Sequence, residues 1–79
     1  MPKLLKFSAD WCRPCQQQAR MLEGFTDADV MEVNIEEDTE LTEKYGIRNI
    51  PTMILLDDNG NEIHRFTGLT HPEKISEYC

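Results

Sequence analysis

Two cysteines, Cys12 and Cys15, stand in a Cys-x-x-Cys arrangement near the start of the chain. On a helix, residues at this spacing lie about one turn apart on the same face, which is close enough for a disulfide. At a helix N-terminus, unpaired backbone N–H groups and the helix dipole favour a thiolate at the first position. The pattern predicts thiol–disulfide exchange in which Cys12 attacks a disulfide and Cys15 resolves the mixed disulfide.

The cysteine pair allows two other interpretations. A zinc site needs two further ligands, for which the candidates are His64, His71 and Cys79. The two histidines are farther apart than the spacing of about three to five residues that zinc sites use. A purely structural disulfide is disfavoured by the odd number of cysteines, three in all, and by a reducing compartment. We therefore expect no metal, and no cofactor other than a redox-active disulfide between the cysteines.

The elements that would position this pair are a strand and the helix that follows it. Residues 3–8 (KLLKFS) form a short apolar-rich run that predicts a strand. Cys15, Ala19 and Leu22 recur at the spacing of one apolar helix face. The three glutamines at 16–18 are then expected to be polar filler on the helix surface. The cysteines would thus lie where a strand runs directly into a helix.

The rest of the chain predicts three more strands and two more helices. An Asn-Gly turn predicts that the last two strands form a hairpin. Thr70 and Glu73 have the spacing of a capping box at the start of the closing helix. The order β-α-β-α-β-β-α predicts an α/β fold in a single domain, residues 1–79, with a four-stranded mixed sheet and helices on both faces. The expected strands are 3–8, 30–35, 52–56 and 62–67, and the expected helices are 12–24, 39–45 and a helix from Pro72.

Composition narrows the possible partners. The chain has 79 residues and a formal net charge of −7, which argues against nucleic-acid binding because phosphate neutralisation needs clustered basic residues. Neither the apolar segment of a signal peptide nor a run of about 18 apolar residues for a membrane span is visible. We therefore expect a cytoplasmic monomer that binds neither nucleic acid nor membranes.

The chain resembles the thioredoxin family in two segments. Residues 7–15 (FSADWCRPC) are similar to the strand end and Trp-Cys-Gly-Pro-Cys active site of that family, and residues 45–52 (YGIRNIPT) to its Tyr-Gly-Ile-Arg-Gly-Ile-Pro-Thr segment. Gly68 stands where the family has a glycine that borders the active site. The resemblance implies a thioredoxin-like fold, reduction of protein disulfides, and electron supply from a thioredoxin-reductase-type partner.

The resemblance also implies a substrate groove. Ile50 and Pro51 would be joined by a cis peptide bond that faces Cys12. The Ile50 backbone would pair with an extended substrate segment, and Trp11, Ile50, Pro51 and Gly68 would line the groove. Plain core packing of Trp11 and Ile50 is the alternative interpretation.

One departure from the family pattern lies between the cysteines. Arg13 replaces a glycine of the family, and a guanidinium beside Cys12 should lower the pKa of that thiol. Stabilising the reduced form raises the reduction potential, so we expect a somewhat stronger oxidant. The retained Pro14 indicates that the shift is modest.

A second departure is a charge reversal. Lys6 occupies the position of a buried aspartate of the family, and Glu32 aligns with its partner lysine. The period-two alternation of the strands supports a contact between Lys6 and Glu32. In that case removal of Lys6 would leave a partly buried carboxylate without a partner. The alternative is that Lys6 extends to solvent and Glu32 lies on an edge strand.

The chain begins at the position of the family's second strand and is therefore about the size of a glutaredoxin. The Cys-Pro-Tyr-Cys and Thr-Val-Pro signatures of glutaredoxins are absent. The leading prediction is a thiol–disulfide oxidoreductase that reduces protein disulfides. Three alternatives stay open: a glutathione-dependent reductase, an oxidase or isomerase, and a non-catalytic binding module or complex subunit that uses the groove around Trp11 and Pro51.

Overall fold

The computed structural model describes residues 1–79 and contains four strands and three helices. The strands are β1 (Lys3–Ser8), β2 (Asp29–Asn34), β3 (Thr52–Leu56) and β4 (Glu62–Thr67), and the helices are α1 (Arg13–Met21), α2 (Thr39–Lys44) and α3 (Pro72–Ser76). The strand order is β2-β1-β3-β4, with β1 parallel to β2 and antiparallel to β3, and β3 antiparallel to β4. The predicted α/β fold with a mixed sheet is confirmed. None of the helices has the length and apolarity needed to cross a membrane.

Helices cover both faces of the sheet. Side chains alternate between the two faces along each strand, so the sheet contributes residues to a core on each side. On one face Leu22, the C-cap residue of α1, and Ile75 of α3 belong to a buried cluster with Leu4, Ala28, Met53, Leu55 and Phe66. On the other face Leu41 of α2 packs against a cluster of Leu5, Phe7, Val33, Ile54 and Leu56. The central strands β1 and β3 are therefore fixed from both sides, and β1 leads directly into the segment that carries the cysteines.

The buried face of α1 differs from the predicted one. Cys15 and Leu22 are buried as expected, but Ala19 is exposed and Gln18 is buried. Both sets of positions follow helical spacing, and the apolar character of Ala19 favoured the wrong one. The prediction that the glutamines at 16–18 are surface filler is therefore wrong for Gln18.

The start of α3 also differs from the prediction. Its N-cap residue is His71, whose side chain makes no capping hydrogen bond. Pro72 occupies the beginning of the helix, where a missing N–H leaves no donor unsatisfied. The Thr70 hydroxyl instead donates a hydrogen bond to the carbonyl oxygen of Gly68 at 3.1 Å. The predicted capping box between Thr70 and Glu73 is therefore wrong.

Strand β2 forms one edge of the sheet. Of its six residues only Val33 is buried, and Met31, on the same face, is exposed. Glu32 therefore lies on an edge strand, whereas its neighbour across the ladder, Lys6, belongs to the central strand β1. This difference in position determines the burial of the two charges.

Candidate active site

Cys12 and Cys15 are joined in a disulfide at the N-terminus of α1, with their Cα atoms 5.2 Å apart. Cys12 is the N-cap residue of the helix and has an extended backbone. Its Sγ accepts a hydrogen bond from the backbone N–H of Cys15 at 3.2 Å. Arg13 and Pro14 form the first helical positions. The helix start therefore directs a backbone donor at the Cys12 sulfur, and a donor in this position stabilises a thiolate.

The two sulfurs belong to a small apolar cluster. Cys12 is 4% exposed and Cys15 is 2% exposed. Ala9 is buried with them, and Ile35 and Ile50 pack against the cluster from the outside. Exposure therefore does not distinguish the two cysteines in the disulfide state. The hydrogen bond to Cys12 does distinguish them.

The residues predicted to line a groove lie around this cluster. The Ile50–Pro51 peptide bond is cis, and the half-buried Ile50 packs against the cysteines. The Gly68 N–H donates to the carbonyl oxygen of Pro51 at 2.9 Å, which joins the end of β4 to the start of β3. Trp11 is 67% exposed, and its indole N–H donates to Glu36 Oε1 at 3.2 Å. Core packing is therefore the wrong interpretation of Trp11, whose ring offers apolar surface beside Cys12.

Lys6 and Glu32 are in direct contact, with Lys6 Nζ 2.9 Å from Glu32 Oε1. The side chain of Lys6 is 2% exposed and that of Glu32 is 61% exposed. The same Glu32 oxygen accepts a hydrogen bond from the Ser8 hydroxyl at 2.9 Å. The contact that the strand pattern predicted is thus present. The alternative in which Lys6 extends to solvent is wrong, because Lys6 is buried on β1. Glu32 lies on an edge strand and is mostly exposed, so its expected partial burial is small.

These contacts lower the pKa of the Glu32 carboxyl below its ordinary value. The hydrogen bond from Lys6 is the largest cause, partial burial opposes it, and the hydrogen bond from Ser8 and the positive charge of Lys6 lower the pKa further. If Lys6 were removed, water would hydrate the carboxylate of Glu32, because this side chain is mostly exposed. Removal of Glu32 would leave two buried donors without an acceptor.

A recess of about 210 Å³ is bordered by both Glu32 and Cys15. Its walls include Ser8, Cys15 and Glu32, together with Ala9, Asp10, Gln16 and Ala19. Glu32, the partner of Lys6, therefore shares a recess with the second cysteine.

The histidines and the third cysteine lie apart from this site. The ring of His64 stacks on Tyr78 with the ring centroids 4.0 Å apart. Cys79 is a free cysteine and is exposed as a residue. Partial desolvation of its sulfur raises the pKa of the thiol, and the charge of Asp27 raises it further. No group of three or more His, Cys, Asp or Glu side chains is arranged to hold a metal ion.

Three residues near the site were not assigned a role from the sequence. Ser8 shares a strand face with Lys6, so the period-two pattern contained a usable signal. Glu36 follows β2 in a turn, and no local pattern predicts its bond to Trp11. Gln18 is buried by a contact with Thr70, which is 52 positions away in the sequence.

Comparisons with known proteins agree with this geometry. The chain matches the thioredoxin family model over residues 1–79. It is 34% identical over 83 residues to a thioredoxin of Rickettsia bellii, with 99% of this chain and 78% of the relative covered. A thioredoxin of Alicyclobacillus acidocaldarius is 35% identical over 79 residues, with 94% and 74% covered.

A solved structure shows the same relationship. A mutant thioredoxin from Halobacterium salinarum superposes with a TM-score of 0.86 at 33% sequence identity, and the match covers 96% of this chain and 69% of that one. Together with the Cys12–Cys15 pair, these relatives identify a thiol–disulfide oxidoreductase. The chain belongs to the thioredoxin family.

Proposed function

We propose that the chain reduces disulfides in other proteins, with Cys12 as the attacking thiolate and Cys15 as the resolving thiol. In the reduced chain, the Cys12 thiolate attacks one sulfur of the target disulfide and displaces the other as a thiolate. Cys15, as its thiolate, then attacks Cys12 Sγ, closes the internal disulfide and releases the second target sulfur. The target gains two electrons and takes two protons from water, and a reductase must return two electrons to the chain.

The hydrogen bond from the Cys15 N–H to Cys12 Sγ is the observation that carries this assignment. It places the first cysteine at the positive end of α1, where the reduced sulfur is stabilised as a thiolate. The exposed Arg13 adds a positive charge one residue later. Pro14 continues the same first helical turn. We propose that both residues adjust the reactivity of Cys12.

The proposed substrate site is the surface formed by Trp11, Ile50, Pro51 and Gly68. Neither the N–H nor the C=O of Ile50 takes part in a backbone hydrogen bond within the chain. Both groups are thus available to an extended segment of a substrate, which would pair with them as a strand pairs with a sheet edge. The exposed ring of Trp11 would supply apolar contact next to the target disulfide.

We propose that Lys6 and Glu32 influence the second step, in which Cys15 attacks. The buried ammonium group of Lys6 is bound to Glu32, and Glu32 borders the recess that Cys15 also borders. We propose that the positive charge of Lys6 favours the thiolate of Cys15, so the resolving step should depend only weakly on pH. The partner carboxylate keeps this ammonium group hydrogen-bonded.

Family membership implies protein disulfides as substrates and a reductase as the electron donor. We propose a donor of the thioredoxin-reductase type and a monomeric, single-domain protein that acts in the cytoplasm, where such reductases keep thiols reduced. The assignment to the thioredoxin family favours neither a glutathione-dependent reductase nor a non-catalytic binding module.

Insulin reduction with dithiothreitol as electron donor tests the proposed function. The parent should accelerate precipitation of the insulin B chain, whereas Cys12→Ser should be inactive and Cys15→Ser should lose turnover. Cys79→Ser is the matched control and should keep the parent rate, since Cys79 lies outside the site. Turnover by Cys12→Ser at the parent rate would refute the assignment of the attacking thiol.

A further inference from the structure

Gln18 is a polar residue on α1 whose side chain is completely buried, with 0% exposure. Its Nε2 donates a hydrogen bond to the Thr70 carbonyl oxygen at 2.9 Å. Its Oε1 accepts one from the Thr70 N–H at 2.8 Å. One side-chain amide thus satisfies both backbone groups of a single residue, as a neighbouring strand would. We call this pair of hydrogen bonds the Gln18 clamp.

The clamp joins the cysteine helix to the segment that follows β4. Gln18 lies one turn after Cys15 on α1. At the other end, the Thr70 hydroxyl donates to the Gly68 carbonyl oxygen at 3.1 Å, and the Gly68 N–H donates to the Pro51 carbonyl oxygen at 2.9 Å. Hydrogen bonds therefore run from the cysteine helix through residues 68–70 to Pro51.

Residues 68–70 have few other restraints. Gly68 has a φ of +81°, a left-handed conformation in which the chain turns away from β4. The side chain of Leu69 is 47% exposed. The backbone groups of Thr70 are held by the side chain of Gln18. Loss of the clamp would leave these groups without partners and release the segment from α1.

We propose that Gln18 is a positioning residue that holds residues 68–70 against the cysteine helix, so that an extended protein substrate meets a preformed groove. This inference rests on the proposed use of the groove around Pro51 and Gly68. Without the clamp, the segment must be ordered when the substrate binds, and that ordering weakens binding. The chemistry at the cysteines does not involve the clamp. The effect should therefore fall on KM for extended substrates more than on kcat.

Gln18→Met tests the clamp, because methionine fills a similar volume without either hydrogen bond. The probe is a ten-residue peptide with one disulfide, compared with dithiobis(nitrobenzoic acid), a small disulfide that does not extend along the groove. Two lost hydrogen bonds predict an increase in KM of about tenfold for the peptide. The loss in kcat/KM should be at least about threefold smaller for the small disulfide. Gln17→Met, at the exposed neighbouring position, is the matched control.

Gln18→Glu provides a second variant, in which protonation of the carboxyl can restore both hydrogen bonds to Thr70. A protonated carboxyl can donate to the Thr70 carbonyl and accept from its N–H, whereas a carboxylate cannot donate. Burial at this position favours the protonated carboxyl, so the ratio of the variant's KM to the parent's KM should stay near one at pH 5 and rise about tenfold by pH 8. The charged and titratable residues nearest the clamp along the chain, Arg20, His71 and Glu73, occur in both proteins, so their contributions cancel in this ratio.

Hydrogen exchange of the Thr70 amide in both variants reports directly on the clamp. Faster exchange together with the peptide-selective increase in KM supports the inference. Equal losses in kcat/KM for the peptide and the small disulfide would overturn it. The inference would also be overturned if the peptide KM stayed within twofold of the parent's KM in both Gln18→Met and Gln18→Glu at pH 8. If Gln18→Met does not fold, the pH-dependent ratio of Gln18→Glu decides alone. A parent that reduces neither disulfide refutes the proposed function, and this inference with it.

Discussion

Replacement of Glu32 by leucine should destabilise the fold more than replacement of its partner Lys6 by methionine. Lys6 is 2% exposed, and the oxygen that accepts from its Nζ also accepts from the Ser8 hydroxyl. Glu32→Leu removes the acceptor from both donors and leaves an ammonium group in the interior. Lys6→Met removes the buried charge itself and keeps an unbranched side chain of similar volume. The side chain of Glu32, at 61% exposure, then returns to water.

These positions set the expected magnitudes. Loss of one partner from a fully buried ion pair costs about 3–5 kcal/mol. The recess beside Glu32 gives water a route to the site, so we expect Glu32→Leu to cost about 2–3 kcal/mol. Lys6→Met should cost no more than about 1 kcal/mol, since it breaks a pair whose acidic partner is exposed. In the double variant no buried charge remains, and its stability should be close to that of Lys6→Met.

Urea unfolding of the oxidised proteins, followed by circular dichroism in a Cys79→Ser background, measures these differences. For a domain of this size, a decrease of about 2–3 kcal/mol in the free energy of unfolding would also lower Tm by about 10–20 °C. Glu32→Gln is the matched control, because its side-chain oxygen can still accept from Lys6 and Ser8, and it should lose less than Glu32→Leu. A larger loss for Lys6→Met than for Glu32→Leu, or strictly additive losses in the double variant, would refute the reasoning.

The same pair predicts how stability depends on pH. The pKa of Glu32 in the folded chain is lower than its ordinary value of 4.5. The unfolded chain therefore binds a proton at this carboxyl more readily than the folded chain does. The stabilisation is fully present above pH 4.5 and is lost as the pH falls through the folded pKa. The stability difference between the parent and Glu32→Gln should hence shrink on acidification below that value, and a constant difference would contradict this origin.

Two further predictions concern the reactive thiols. Arg13→Gly should make the protein more reducing, because the Cys12 thiolate loses a nearby positive charge and its pKa rises. The reduction potential should fall by about 30 mV for each unit by which that pKa rises. Equilibration with a thiol–disulfide redox buffer measures the potential, and an unchanged or higher value would contradict the prediction. In the reduced protein at pH 6, iodoacetamide should label Cys12 ahead of Cys15 and of Cys79, whose pKa is raised by burial and by Asp27. Peptide mass spectrometry gives the order of labelling, and equal rates would count against the special reactivity of Cys12.

The parts of the fold that local signals determine were predictable from the sequence. Strands β3 and β4 coincide with the predicted ranges, because two β-type runs flank an Asn-Gly turn. The position of Cys12 at the start of α1 follows from a strand pattern that leads directly into a helix pattern with Pro14 near its beginning. Here sequence neighbours alone fix the structure.

The remaining features depend on contacts between distant segments. The choice between Ala19 and Gln18 for the buried face of α1 is made by Thr70, and no pattern within the helix contains that information. The burial of Lys6 rather than Glu32 follows from the strand order, which places β1 inside the sheet and β2 at its edge. Strand parity predicted the contact but could not assign the buried partner.

Trapping of the mixed disulfide tests the central claim most directly. In a Cys79→Ser background, the reduced Cys15→Ser variant should form a covalent complex with a disulfide-containing protein, linked through Cys12 and released by dithiothreitol. The corresponding Cys12→Ser variant should form none. A complex that accumulates through Cys15 in the Cys12→Ser variant, together with no complex in the Cys15→Ser variant, would contradict the account.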